Sequence, residues 1–228
     1  MNTVGIIGAM DLEIRLLKDK MSLSKKESIA GFNYYLGRIQ GKDVVIACCS
    51  VGKVNAASCT QILIDKFNID CIINTGIAGS LHNEVKICDV VISKNVTYHD
   101  VTKNQMKNFF PFKEYFEGDK KLIELAIKAC EKYKLDNWNY HIGRIVSGER
   151  FISDSKMKKS IIEEYSPYCV EMEGAAIGHV AYINNVPFVV IRGISDNADD
   201  EAYTNYDIFE KISAEHSANI VLNMMKII

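Results

Sequence analysis

The sequence predicts an α/β fold, a single domain with a central mixed β-sheet flanked by helices. Three observations carry this. Short β-branched runs alternate with amphipathic segments along all 228 residues, the pattern of strands interleaved with helices. An early hairpin signal demands an antiparallel pair, so the sheet is mixed rather than wholly parallel. Only three prolines occur, with no repeat, low-complexity stretch or linker, so residues 1–228 read as one domain.

The elements follow in order. Thr3 to Ile7 is a short strand ended by Gly8, and a helix runs from about Asp11 to Lys20 with Leu12, Leu16 and Leu17 on one side. Phe32 to Ile39 and Val44 to Cys49 flank Gln-Gly-Lys-Asp, the hairpin. Gly52 to Phe67 is a small-residue helix. Cys71 to Asn74 is a buried strand running into Thr75-Gly76, and Val90 to Val96 is another strand. Lys120 to Lys132 is a helix with Leu122, Leu125, Ala126 and Ala129 in phase. Ile142 to Val146 is a strand, and Val170 closes a short one. Met172 to Asn184 is a Gly/Ala-rich helix, Phe188 to Ile194 an apolar strand interrupted by Arg192, and Tyr206 to Met225 a terminal helix.

Composition excludes several classes. Hydrophobic residues at 48% suffice for a core, and charged residues at 25% argue against disorder. A net charge of −2 excludes nucleic-acid binding by bulk positive charge and gives no reason for a membrane surface. No stretch approaches the ~18 apolar residues of a membrane span, and the N-terminus carries no signal-peptide pattern. The seven cysteines form no Cys-x-x-Cys pair and sit mostly in apolar runs. They read as reduced core thiols in a cytoplasmic protein. The scattered histidines suggest no metal site.

In such sheets chemistry collects at the carboxyl ends of strands. Gly5 to Glu13 lacks the G-x-G-x-x-G of a dinucleotide site, and acids occupy the turn where a pyrophosphate would sit. Asp11 and Glu13 there favour the helix dipole. Glu13 is also placed to face a cleft and orient a water. Gly76 and Gly79 in Asn74-Thr-Gly-Ile-Ala-Gly79 serve either a tight turn or a loop pressed against a ligand. Glu171 and Glu173 flank Met172 where a buried strand becomes a helix, with no basic neighbour in sequence. They are either a solvated helix start or carboxylates kept for a site, such as one accepting both hydroxyls of a ribose. Ser195-Asp196 ends the last apolar strand and is either a helix cap or a rigidly held general acid. Arg192 inside that strand needs a buried anion or an exposed face.

Five motifs occur in order: Gly-Ile-Ile-Gly-Ala-Met-x-x-Glu, Asn-Thr-Gly-x-Ala-Gly, Ser-Gly-x-x-Phe-Ile, Val-Glu-Met-Glu and Arg-x-Ile-Ser-Asp. Together, over nearly the whole chain, they resemble the 5′-methylthioadenosine/S-adenosylhomocysteine nucleosidases of the nucleoside phosphorylase superfamily. The resemblance implies that fold and hydrolysis of the N-glycosidic bond of these substrates and of 5′-deoxyadenosine, without cofactor or metal. It casts Asp196 as the acid that protonates purine N7, oriented by Ser195, and Glu13 as the residue activating water, with Arg192 fixing both. Glu173 becomes the ribose-hydroxyl binder, with Met172 on the sugar and Glu171 nearby. Phe151 and Ile152 hold adenine, Val51, Ile77, Ala78 and Gly79 line the pocket, and Tyr206 meets the 5′ substituent.

The general-acid role requires Asp196 to hold its proton, through burial and a nearby carboxylate such as Glu173. A phosphate-dependent nucleoside phosphorylase on the same fold is the alternative. It is disfavoured because Glu13 and Asp11 stand where a phosphate dianion would need arginines. The stretch after Asp100, Val-Thr-Lys-Asn-Gln-Met-Lys-Asn-Phe-Phe-Pro-Phe, departs from the family pattern. In the family this loop lines the 5′ pocket and reaches a second subunit. Met106, Phe109, Phe110 and Phe112 therefore read as a lid and a homodimer interface, with core burial as the alternative. The partners implied are a small-molecule nucleoside and a second copy of the chain, with no nucleic acid or membrane.

Overall fold

The computed structural model describes residues 3–133 and 138–228. The N-terminal part runs β1 (Thr3–Gly8), α1 (Asp11–Asp19), β2 (Ser22–Ile29), β3 (Phe32–Ile39), β4 (Lys42–Cys48), α2 (Lys53–Phe67) and β5 (Cys71–Ser80). The middle follows with β6 (Val90–Tyr98), α3 (Lys103–Asn108), β7 (Phe116–Glu117), α4 (Lys120–Lys132), β8 (Tyr140–Ser147) and α5 (Ser155–Tyr165). The chain ends with β9 (Cys169–Glu171), α6 (Gly174–Ile183), β10 (Phe188–Asp196) and α7 (Ala202–Met225).

All strands join one mixed sheet. β1 lies between β4 and β5, parallel to both, and β5 is parallel to β10. β4, β3 and β2 form an antiparallel meander at the outer edge. Its turns are Ala30-Gly31 and Gln40-Gly41, where both residues have positive φ, as two-residue hairpin turns require. The inner strands close on themselves: β10 pairs with β6, β6 with β8, β8 with β9, and β9 returns to β5. Every residue of β5 is buried, consistent with a strand common to the open sheet and the ring. That closure depends on long-range pairing and leaves no local mark in the sequence.

Helices cover both faces. The apolar sides of α1, α4 and α7 pack on one, through Leu17, Ala126 and Val221 among others. Those of α2 and α6 pack on the other, through Leu63, Ala175 and Ala181. Side-chain caps fix three starts: Thr102 Oγ1 accepts from Gln105 N at 3.4 Å, Asp119 Oδ1 from Leu122 N at 2.9 Å, and Asp154 Oδ1 from Met157 N at 2.7 Å, the aspartate caps each worth about 1 kcal/mol. Among the described residues no helix is long and apolar enough to cross a membrane. Five of the seven cysteines are buried.

Several boundaries differ from expectation. β5 continues through Ser80, so Gly76 and Gly79 lie in a strand and not in a loop. α6 begins at Gly174, leaving Glu173 as its N-cap residue, and α7 begins at Ala202, one turn before Tyr206. β2 was not anticipated because its Ser-Lys-Lys-Glu-Ser stretch is almost wholly exposed, without the apolar alternation that marks a half-buried strand. α3, β7 and α5 also went unanticipated. The first two are short, and α5 buries only Ile161 and Tyr165 along its length.

Candidate active site

The parallel strands β1, β5 and β10 deliver their carboxyl ends to one place. Along β10, Arg192 lies beside Gly76 and Asp196 beside Gly79, with a register shift between Ile194 and Asp196. A bulge there re-aims the end of the strand. β9 comes back antiparallel, with Val170 beside Gly79, and brings Glu171 to the same level. The result is a cavity of about 340 Å³.

Asp196 is 1% exposed. Its Oδ2 accepts from Ser195 Oγ at 2.8 Å and its Oδ1 from Ala198 N at 2.8 Å. Burial pushes its carboxyl above the ordinary range, against those two hydrogen bonds, and the charge of Asp199 adds to the rise. The reinforcing carboxylate is therefore Asp199, not Glu173. α7 starts six residues later, at Ala202, so Asp196 caps no helix. Gly79 is required beside it, because a Cβ there would lie 2.6 Å from Asp196 Oδ1.

Glu13 is held from three sides. Its Oε2 accepts from Ala9 N at 2.7 Å and Met10 N at 2.9 Å, and its Oε1 from Ile77 N at 3.0 Å. Its reach back to Met10 is half of a capping box, so the helix start and the site share one carboxylate. Burial raises its pKa, while Arg192 and the backbone donors oppose the rise. A Cβ on Gly76 would run into Glu13 Oε1 and Arg192 Nη1. The absence of a side chain at this point of β5 lets the two groups approach.

Glu171 and Glu173 gain in space the cation that sequence denied them. Arg192, 1% exposed, donates through Nη2 to Glu171 Oε2 and to Asn74 Oδ1, the latter at 2.8 Å. Glu173 Oε1 accepts from Gly52 N at 2.8 Å, and its Oε2 lies 3.8 Å from Arg192 Nη2. Burial first, then the charge of Glu171, lifts the Glu173 pKa to about 8.

The remaining wall is apolar. Val51, Ile77, Ala78, Gly79, Ile152 and Met172 line it. Phe151 lines it too, meeting Tyr206 edge-on at 5.6 Å and Tyr203 at 4.8 Å. Tyr206 OH reaches Met10 Sδ at 3.6 Å. Every residue given a catalytic or substrate-binding role from the sequence lines the cavity except Arg192, which stands behind the carboxylates, while Met106, Phe109, Phe110 and Phe112, expected as a lid, lie outside the lining. Asp11, the other acid of the first turn, pairs on the surface with Lys18. Sequence reasoning missed Ala9, Met10, Arg150, Val170, Tyr203 and Asp207 in the lining. Ala9, Met10 and Arg150 lie within strand-end segments already singled out. Tyr203 needed the earlier start of α7, whereas Asp207 lies within the expected terminal helix.

The sequence matches a family model described as the phosphorylase superfamily over residues 3–226. The chain belongs to the phosphorylase superfamily. Within it, this member is 39% identical over 227 residues to the 5′-methylthioadenosine/S-adenosylhomocysteine nucleosidase of Halalkalibacterium halodurans, covering 97% of each chain. Its fold is similar to that of the Neisseria meningitidis 5′-methylthioadenosine/S-adenosylhomocysteine nucleosidase in complex with methylthio-immucillin-A, with a TM-score of 0.94, 37% identity and 100% of both chains covered. It is also similar to the futalosine hydrolase of Helicobacter pylori, at a TM-score of 0.91 and 29% identity over 100% of this chain and 98% of that one. The expected α/β fold with a mixed sheet is that of this superfamily member.

Proposed function

We propose that this protein is a nucleosidase that hydrolyses the N-glycosidic bond of 5′-methylthioadenosine and S-adenosylhomocysteine, and of 5′-deoxyadenosine, releasing adenine and the 5′-substituted ribose. The curated relatives carry the first two substrates in their names. The observation that carries the reading is the charge of the cavity. Five acids, Glu13, Glu171, Glu173, Asp196 and Asp207, line it against one arginine, the exposed Arg150, and the buried Arg192 behind them is already engaged by Glu171. A phosphate dianion would meet repulsion there, whereas a neutral nucleoside and a water would not.

The steps follow from residue types. Asp196, its carboxyl pushed above the ordinary range by burial and oriented by Ser195, protonates N7 of the bound purine, because adenine is a poor leaving group until it is neutralised. As the bond stretches, the sugar gains oxocarbenium character. The carboxylates of Glu173 and Glu13 stabilise that charge. Glu173 accepts the ribose hydroxyls, Met172 packs on the sugar and Phe151 stacks on adenine beside Ile152. Glu13, immobilised by three backbone N–H groups, orients the attacking water and takes its proton, with Arg192 behind it. Val51 and Tyr206 bound the 5′ end, and Ile77, Ala78 and Gly79 the floor.

The same reading makes the protein a cytoplasmic homodimer. Phe109, Phe110 and Phe112 are 68%, 72% and 63% exposed, so they are not core, while Met106 beneath them is buried. Three phenylalanines together in water favour coverage by a second copy. Adenine release from methylthioadenosine in phosphate-free buffer tests the reaction. Release at the same rate with and without phosphate is expected. A strict phosphate requirement, with a pentose 1-phosphate as product, would make the enzyme a phosphorylase.

A further inference from the structure

We propose that Glu171 is a positioning residue: its carboxylate locks Arg192 behind the sugar site and leaves Glu173 as the carboxylate that meets the sugar. The inference rests on the nucleosidase reading and deepens it.

Every group that meets the two oxygens of Glu171 is a donor. Oε1 accepts from Ser147 Oγ, and that hydroxyl in turn accepts from Ala175 N at 2.7 Å. Oε2 accepts from Glu173 N at 3.0 Å, from Gly174 N at 2.7 Å and from Arg192 Nη2. Three of these donors, two backbone N–H groups and a guanidinium, converge on Oε2 alone. The amino end of α6 adds its partial positive charge on the same side. Glu171 therefore lines the cavity with its acceptors already committed.

Arg192 is fixed in turn. Its second anchor, Asn74 Oδ1, cannot flip, because Asn74 Nδ2 donates to Ile7 O at 2.8 Å. Ser147, Glu171, Arg192 and Asn74 thus tie β8, β9, β10 and β5 into one buried chain of hydrogen bonds. Glu173 stands apart from it. Its carboxylate accepts from Gly52 N at 2.8 Å, and the distance from its Oε2 to Arg192 Nη2 is 3.8 Å. The groups facing Glu173 are Glu171 from β9, Arg192 from β10, Glu13 from α1 and the Cys49 thiol beyond β4. Two carboxylates and burial favour its neutral form, and Arg192 opposes them.

The test compares Glu171→Gln with Glu173→Gln by steady-state kinetics on methylthioadenosine from pH 5 to 9.5. In the wild type, kcat/KM should rise as Glu173 ionises. With Glu171→Gln that limb should move to lower pH by about one unit or more, since an adjacent negative charge is gone. Its kcat should fall by roughly tenfold or more, with KM within about threefold of wild type. Glu173→Gln should abolish the limb and raise KM. If Glu171→Gln instead raises KM and leaves the limb in place, Glu171 touches the sugar and the proposal is overturned. Wild-type constants in that variant overturn it as well.

Should Glu171→Gln fail to fold, Ser147→Ala replaces it, keeping the carboxylate and removing one donor. A fall in kcat of a few-fold at constant KM, with the limb unmoved, is then expected. A raised KM or unchanged constants would overturn the proposal. Wild-type enzyme that releases no adenine would refute the nucleosidase reading itself, so the two failures are distinct.

Discussion

Glu173 makes the stability of the empty enzyme depend on pH, and Glu173→Gln should remove that dependence. The folded pKa is about 8, against an ordinary 4.5. Because the folded value is the higher one, the stabilisation is fully present below about pH 4.5. It is lost as pH rises through about 8, since over that window the folded state keeps a proton that the unfolded chain has released. The interval sets a ceiling of roughly 5 kcal/mol. Water in the open cavity and relaxation around the charge bring the expected loss to about 2–3 kcal/mol. Glutamine is close to the neutral acid in shape and keeps an oxygen for Gly52 N–H, so at pH 5 the variant should match the wild type. At pH 9 it should be the more stable by about 2–3 kcal/mol, some 5–10 °C in Tm for a chain of this size. Calorimetry of ligand-free protein at both pH values measures the difference. Other buried acids are common to both proteins and cancel. A Tm difference that is the same at pH 5 and pH 9 would refute the reasoning.

Asp196→Asn should fold, still bind a substrate analogue and lose kcat by about 10²–10⁴-fold with little change in KM. Near-wild-type kcat in that variant, with turnover abolished by Glu13→Gln, would move the general acid elsewhere. Phe110→Asp should weaken dimerisation and raise KM for thioether substrates, as read by light scattering and kinetics. A wild-type chain that is monomeric by light scattering would count against the interface.

What sequence reading reached, and what it did not, divides along physical lines. Long apolar or amphipathic elements such as β1, α4 and β10 declare themselves by period and composition. The carboxyl-end rule then sends the search to Glu13, Glu173 and Asp196, all of which meet in one cavity. Partnership across the sheet was out of reach. Nothing near Glu171 in the chain foretells Arg192, 21 residues away, nor does anything near Glu173 foretell Gly52 N, 121 residues away. Arg192 was recognised as needing an anion because a guanidinium in an apolar strand is costly alone, but its anion could not be named. Asp196 as a helix cap was a reasonable alternative until α7 was found to begin at Ala202. The exposed strand β2 had no apolar face to announce it.

The carboxylates also explain why one site can be costly to fold and suited to its chemistry. Glu13, Glu171, Glu173 and Asp196 face a cavity whose buried cation is Arg192. With all four ionised the excess would be negative, and burial resists it by raising the pKa of Glu13, Glu173 and Asp196. At neutral pH Glu173, with its pKa lifted to about 8, therefore keeps its proton in the ligand-free pocket. A nucleoside enters neutral, and along the reaction its purine takes a proton at N7 while its ribose turns cationic. Each change creates positive charge beside a group that gains by being negative, so the attraction grows between ground state and transition state rather than on binding alone. A phosphate nucleophile would bring its own negative charge to the same walls and lose that advantage. The strand ends thus select both the leaving group's acid and the neutrality of the nucleophile.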